Sequence, residues 1–110
     1  MGADDNLVEI RRIYQAIDDH FDALYAQCNA TQKTQLTALR DSARDAFWRA
    51  ISANLADDHG LVVQTFNELQ VTNNQLDTDL KSLQDISGCL QTLTEGVKLA
   101  AALVTLASVA

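Results

Sequence analysis

Apolar residues recur at alternating steps of three and four over the first quarter of the chain, which is the spacing of one face of a packed α-helix. The residues on this stripe are Leu7, Ile10, Tyr14, Ile17, Phe21, Leu24 and Cys28. Asn6 precedes the stripe and Glu9 follows three positions later, which is the spacing of a capping box at a helix N-terminus. The pattern predicts a first helix from about Leu7 to about Cys28.

A second helix is predicted after Asn29 and Thr31, because both side chains can cap a helix N-terminus. The run Asp57-Asp58-His59-Gly60 interrupts the pattern later on, and aspartates fit the start of a helix better than its negative C-terminal end. The second helix should therefore end near Leu55, and the third should begin around Gly60. The apolar stripe of the second helix is Leu36, Leu39, Ala43, Phe47, Ile51 and Leu55.

A seven-residue repeat of apolar residues continues through the second half of the chain. Leucine at one heptad position with an occasional asparagine at the other is typical of a coiled-coil or bundle seam. Asn73 lies on this seam, where it either fixes the register by pairing with another polar group or faces solvent at the edge. The repeat consists of Leu69, Leu76, Leu83, Leu90 and Val97, with Phe66, Asn73 and Leu80 at the intervening positions.

The position at which this repeat is interrupted decides the fold. A break at Ser87-Gly88, followed by a capping box of Thr92 and Glu95, leaves helices of similar length, and such helices favour an antiparallel bundle with short loops. We therefore predict an all-α fold, an antiparallel four-helix bundle in which residues 1–110 form a single domain. The alternative is a helical hairpin plus one long third helix that forms a coiled-coil dimer, because the heptad register continues through both glycines.

Charge restricts the classes of partner. The 110 residues carry a formal net charge of −7, with a pI near 4.4. Nucleic-acid binders need a basic surface, so we expect no nucleic-acid partner, and anionic membranes are disfavoured for the same reason. The N-terminus, Met1 to Asn6, is acidic and has neither the basic nor the apolar region of a signal peptide, which predicts a cytoplasmic protein.

The sequence offers little for catalysis or for metal binding. Two cysteines are too few for a disulfide scaffold or a structural zinc site. Asp18, Asp19, His20 and Asp22 diverge around a helix instead of converging on one point, and no phosphate loop or nucleophile elbow occurs. We expect no catalytic residue, no metal and no cofactor. In an up-down-up bundle, Cys28 and Cys89 should lie at the same end, where one bridge is geometrically allowed.

Two apolar features exceed what one bundle seam requires. Trp48, Ile51 and Leu55 form a ridge beside the main stripe of the second helix, and the twelve residues from Leu99 to Ala110 carry no charge. This surplus predicts self-association as a homodimer, because large exposed apolar patches are uncommon on soluble monomers. The candidate interface residues are Trp48, Ile51, Leu55, Leu69, Leu76, Leu83, Leu90, Leu99, Leu103 and Leu106.

These observations favour a non-catalytic protein–protein interaction module that is acidic and self-associating. An adaptor, an immunity or antitoxin-like factor, or a secretion chaperone fits this size and charge, and the partner is another protein whose identity the sequence does not give. The alternative is a membrane-associated or membrane-acting helical protein that uses segment 97–110, although this segment is shorter than a bilayer-spanning helix.

Overall fold

The computed structural model describes residues 3–52, 60–82 and 85–107. These residues form five helices and, within the described ranges, no strand. The all-α helical bundle predicted from the sequence is confirmed, and its dimensions are 42 × 22 × 18 Å. The helices are α1 (Ala3–Asp19), α2 (Phe21–Gln27), α3 (Ala30–Ser52), α4 (Gly60–Ser82) and α5 (Ile86–Ala107).

The predicted first helix is in fact two helices, separated at His20. The ring Nδ1 of His20 lies 3.0 Å from the carbonyl oxygen of Ala16, which accepts a hydrogen bond from it. The backbone of His20 leaves the helical geometry, with φ −108° and ψ 9°, so α1 ends before it and α2 begins after it. The amide of Leu24 then donates to the carbonyl oxygen of His20 at 2.9 Å and starts the short α2.

The predicted capping box of Asn6 and Glu9 is wrong, because α1 begins earlier and both residues lie inside it. Their side chains are buried, and Glu9 bonds residues on another helix instead. The box occurs at the start of α3, where the amide of Gln32 donates to the Asn29 side chain at 2.8 Å. The amide of Asn29 donates back to the Gln32 side chain at 2.9 Å.

Helix α4 ends at Ser82, and Asp85 caps the start of α5. The amide of Gly88 donates to the carboxylate of Asp85 at 3.0 Å, and a Cβ at Gly88 would lie 2.6 Å from that carboxylate. A side chain at position 88 would therefore require the Asp85 carboxylate to shift. The predicted capping box at Thr92 and Glu95 is wrong, since both lie within α5, and Gly88 belongs to the first turn of α5 instead of breaking a helix.

Contacts between α4 and α5 show that these helices run antiparallel. The hydroxyl of Thr92 donates to Asp79 at 2.9 Å, and further along α5 a Cβ on Gly96 would lie 3.5 Å from Thr72. The alternative of one long third helix is therefore wrong. The heptad repeat continues from α4 into α5 because the repeat residues of both helices are buried in the same core. These residues are Leu69, Leu76, Leu90 and Val97.

Two further contacts orient α3. Tyr14 of α1 stacks on Phe47 with ring centroids 5.6 Å apart, while Arg40 lies over Phe21 of α2, so α3 is antiparallel to α1 and α2. On its other side α3 packs on α5, and α1 packs on α4. The outer groove between α1–α2 and α3 thus lies on the opposite side of the bundle from the groove between α4 and α5.

A buried polar contact fixes the register of α1 against α4. The side-chain amide of Asn73 donates to the carboxylate of Glu9 at 3.0 Å and to its backbone carbonyl oxygen at 3.1 Å. Arg12, one turn further along α1, donates to the same carboxylate and to Asp77. Of the two interpretations of Asn73, the structure supports the pairing one, because the side chain is almost completely buried.

Candidate functional site

Most aromatic side chains of the protein lie along one groove. Of the six aromatic residues, five line the junction of α1–α2 with α3, and Phe66 alone is buried in α4. Phe21 stacks on Tyr25 at 5.5 Å, and Phe47 contacts both Tyr14 and Trp48, the latter at 5.9 Å between ring centroids. We call the group Tyr14, Phe21, Tyr25, Phe47 and Trp48 the aromatic seam.

The aromatic seam faces solvent along its length. Tyr14, Phe21 and Phe47 are half-buried, whereas Trp48 is 58% exposed and Tyr25 is 40% exposed. Ile51, one turn after Phe47, is 47% exposed and extends the apolar surface. Aromatic side chains bury large areas when they enter an interface, and tryptophan is among the residues enriched in binding hot spots.

Cations flank the aromatic seam along α3. The guanidinium carbon of Arg40 lies 3.9 Å from the centroid of the Phe21 ring, and the Nζ of Lys33 lies 4.9 Å from that of Tyr25. Arg44 follows Arg40 by one turn and precedes Trp48 by one turn. Within the described ranges no ion pair includes any of these three cations. Their charge is therefore available to a bound partner.

The end of the aromatic seam nearest α2 is concave. Tyr25 and Lys33 line a shallow groove of about 540 Å³, together with small residues of α3 and the carboxylate of Asp41. The floor comes from Ala30, Thr34, Thr37 and Ala38, which lie on successive turns. Small side chains at these positions leave room for the side chains of a partner.

The structure divides the interface residues predicted from the sequence. Trp48 and Ile51 are exposed, as that prediction requires. Leu99 and Leu106 are half-buried against the core, and Leu55 and Leu83 lie outside the described residues. The remaining four, Leu69, Leu76, Leu90 and Leu103, are buried in the core of this chain and contribute nothing to the surface of the folded monomer.

The surplus of apolar surface is therefore smaller than the sequence suggests, because most heptad leucines cover one another within the bundle. Tyr14, Phe21 and Phe47 fall on the apolar stripes of their helices, which predicts them as core residues rather than as surface residues. Tyr25 lies beside the stripe of the first helix, and its spacing gives no sign of the groove. The available signal was composition: aromatic residues are concentrated in the segment that becomes α1 to α3.

The opposite groove, between α4 and α5, has a different character. Val71 is 67% exposed there, and the groove is lined by polar side chains and two carboxylates, Glu68 and Glu95. Among the described residues that line this groove, none is a Lys or an Arg. Val71 provides an exposed apolar reference residue that lies away from the aromatic seam.

The two cysteines lie close together at the end of the bundle where α2 ends and α5 begins, which confirms the predicted arrangement. Both are buried free thiols, and the Sγ of Cys28 donates to the carbonyl oxygen of Leu24 at 3.1 Å. Burial, together with the charges of Asp79, Asp85 and Cys28, raises the pKa of Cys89 to about 11. These thiols are poor nucleophiles at neutral pH.

The raised pKa of Cys89 makes the stability of the protein pH-dependent in alkali. Between the ordinary pKa of 9.0 and about 11, the folded chain retains a proton that the unfolded chain loses, so the free energy of unfolding falls as the pH rises. Urea titrations at pH 8.5 and pH 10.5 measure this fall. A Cys89→Ala variant should show a smaller fall, and equal falls in both proteins would contradict the prediction.

Metal-binding clusters and membrane-spanning helices are two other kinds of functional feature. Within the described ranges, no group of three or more His, Cys, Asp or Glu side chains is arranged to hold a metal ion. Helix α5 is long and apolar enough to cross a membrane, with 22 residues and a mean hydropathy of 1.2, and it is the one described helix with this property. Of this apolar stretch 44% is buried in the bundle, and core helices of soluble proteins share this composition.

No protein-family model, curated protein or solved structure matches this chain.

Proposed function

We propose that this protein is a non-catalytic protein-interaction module that binds another protein through the aromatic seam. The observation that carries the proposal is the exposure of Trp48, which is 58% exposed on a surface built from four further aromatic rings. A partner that covers this surface gains apolar burial at about 25 cal/mol per Å², with the tryptophan as its anchor.

The rigidity of the scaffold supports this proposal. The aromatic seam is formed by helices that share one core, and the rings are stacked on one another before any partner arrives. Side chains that are already held in place lose little conformational entropy on binding, which increases the affinity that a given contact area provides.

A photo-crosslinking pair tests the proposal. The photoreactive residue p-benzoylphenylalanine is placed at Trp48 in one variant and at Val71 in the other, and each is irradiated in cells that express the protein. We expect a specific protein adduct at position 48 and none at position 71, because both sites are exposed but only the first lies on the aromatic seam. Adducts of equal yield and identity at both positions would refute the aromatic seam as the binding surface.

A second candidate function is membrane association through α5, which the length and apolarity of that helix favour. The buried face of α5 would have to leave the core before it could meet lipid. Co-sedimentation with vesicles of phosphatidylcholine, and of phosphatidylcholine with phosphatidylglycerol, distinguishes the two functions. Protein that pellets with vesicles and loses its bundle helix contacts would favour the membrane function over the proposed one.

A further inference from the structure

We propose that the partner at the aromatic seam is an acidic amphipathic helix, because α3 places three available cations in line with the exposed Trp48. This inference deepens the proposed function and rests on it. The ligand it names has apolar side chains that cover Trp48 and Ile51, and carboxylates that reach Arg44, Arg40 and Lys33.

Helix α3 is cationic within an acidic protein. It carries four cations and two carboxylates, a formal charge of +2, whereas the whole chain has a net charge of −7. One of its cations, Arg49, is paired with Asp45 at 3.0 Å on an exposed part of the helix. The remaining three cations are those that flank the aromatic seam.

The spacing of these cations places them on one flank of the helix. Lys33, Arg40, Arg44 and Trp48 follow one another at steps of seven, four and four residues, and residues at such steps lie above one another on a helix surface. At 1.5 Å per residue the row is about 22 Å long, which equals roughly four turns of a partner helix. A partner of this length would place carboxylates toward Lys33 and apolar residues toward Trp48.

The ring contacts hold two of the cations in position for carboxylates. Arg40 lies over the ring of Phe21, with its guanidinium carbon 3.9 Å from the ring centroid, and Lys33 lies over the ring of Tyr25. An arginine held on a ring keeps its outer N–H groups free to donate two parallel hydrogen bonds to one carboxylate. The Lys33 end also opens into the groove of about 540 Å³, which can accept a side chain of the partner.

The same charges disfavour other occupants of the aromatic seam. A two-fold dimer through the centre of this row would bring Arg40 and Arg44 of each copy towards those of the other, and like charges across an interface are repulsive. Nucleic acid would meet three cations along this row, too few to neutralise the phosphates that a duplex presents over about 22 Å. An acidic helix satisfies the local cations and the aromatic surface together.

Trp48 is the only tryptophan in the chain, so its fluorescence reports on the aromatic seam directly. The probes are two synthetic helical peptides of about 18 residues, roughly 27 Å long. Each carries leucines at the end of its docking face that meets Trp48, and either glutamates or lysines at the end that meets Arg44, Arg40 and Lys33. We expect the glutamate peptide to shift the emission to shorter wavelength and to protect Trp48 from acrylamide quenching. The lysine peptide should do neither, and added salt should weaken the glutamate complex.

The variant Arg44→Gln tests the electrostatic contribution without disturbing the fold. The Arg44 side chain is exposed and makes no hydrogen bond, ion pair or ring contact within the described residues. We expect the affinity for the glutamate peptide to fall about tenfold, the equivalent of one charge-assisted hydrogen bond. The control Lys98→Gln makes the same change of net charge on α5, away from the aromatic seam, and should leave the affinity unchanged.

Three outcomes would overturn the inference. They are an equal response to the glutamate and lysine peptides, an equal affinity in Arg44→Gln and Lys98→Gln, and a blue shift that depends on protein concentration without peptide. The last would identify a second copy of this chain as the occupant. In each case a specific crosslink at position 48 to another protein would leave the proposed function standing, because only the chemistry of the partner would be wrong.

Discussion

Removal of residues 97–110 is expected to unfold the protein. Three large side chains of this segment, Val97, Leu103 and Val104, are buried in the core, and Ala100 and Ala107 are completely buried beside them. Each of the three larger side chains contributes about 2 kcal/mol when it is buried, so their loss approaches the 5–15 kcal/mol that stabilises a typical domain. The 1–96 chain should therefore show no cooperative thermal transition and reduced helical circular dichroism.

Point variants in α5 test whether the truncated protein unfolds because buried side chains are lost or only because the chain is shorter. Leu103→Ala removes a completely buried side chain and should lower the free energy of unfolding by about 2–5 kcal/mol. Thr105→Ala replaces an exposed residue of the same helix and should change the free energy of unfolding by less than about 0.5 kcal/mol. A 1–96 chain that melts at the temperature of the full chain would contradict the packing of α5 and favour a partner or a bilayer as its neighbour.

The second large effect is expected at Gly96, where α5 approaches α1 closely. A Cβ at this position would lie 2.7 Å from Cδ1 and 3.2 Å from Cγ1 of Ile13, which is itself completely buried and cannot move into solvent. Gly96→Val should therefore lower the free energy of unfolding by about 1–3 kcal/mol through overpacking. Gly96→Ala should lower the free energy of unfolding by less, because the higher helix propensity of alanine, about 1 kcal/mol better than glycine, offsets part of the clash.

Gly60 provides the matched control for this prediction. It begins α4, and a Cβ there would have no neighbour within 4 Å among the residues that the structure describes. Gly60→Val adds the same side chain without a clash and should change the free energy of unfolding by less than about 0.5 kcal/mol. Chemical denaturation of the three variants measures the differences, and equal values for Gly96→Val and Gly60→Val would show that α1 and α5 are not in close contact.

Predictions based on local periodicity were largely correct. The start of α4 at Gly60, the heptad positions Leu69, Leu76 and Leu90, and the presence of successive long helices were all predicted from the spacing of apolar residues. This spacing encodes which face of a helix is apolar, and that face is buried whichever neighbour covers it. The all-α class therefore needed no information about how the helices pair.

Which residues of an apolar helix face are buried most deeply depends on the helix that packs against that face. On α3 the sequence indicates Phe47 and Ile51 as core positions, but the structure buries Ala46 and Ala50 and leaves the larger residues partly exposed. Small residues allow α3 to approach its neighbours closely, and the bulky ones are displaced towards the groove with α1. The aromatic seam is the result of this displacement.

By itself, the sequence determined the helical class, the approximate starts of α3 and α4, and the acidity of the chain, because each depends on residue type and local spacing. Only the tertiary structure decided which residues of different helices contact one another. Glu9 stands at capping distance from Asn6, yet it bonds Asn73, which is 64 positions away in the sequence. The aromatic seam likewise exists only because α3 folds back antiparallel to α1 and α2, which joins rings and cations that are distant in the sequence.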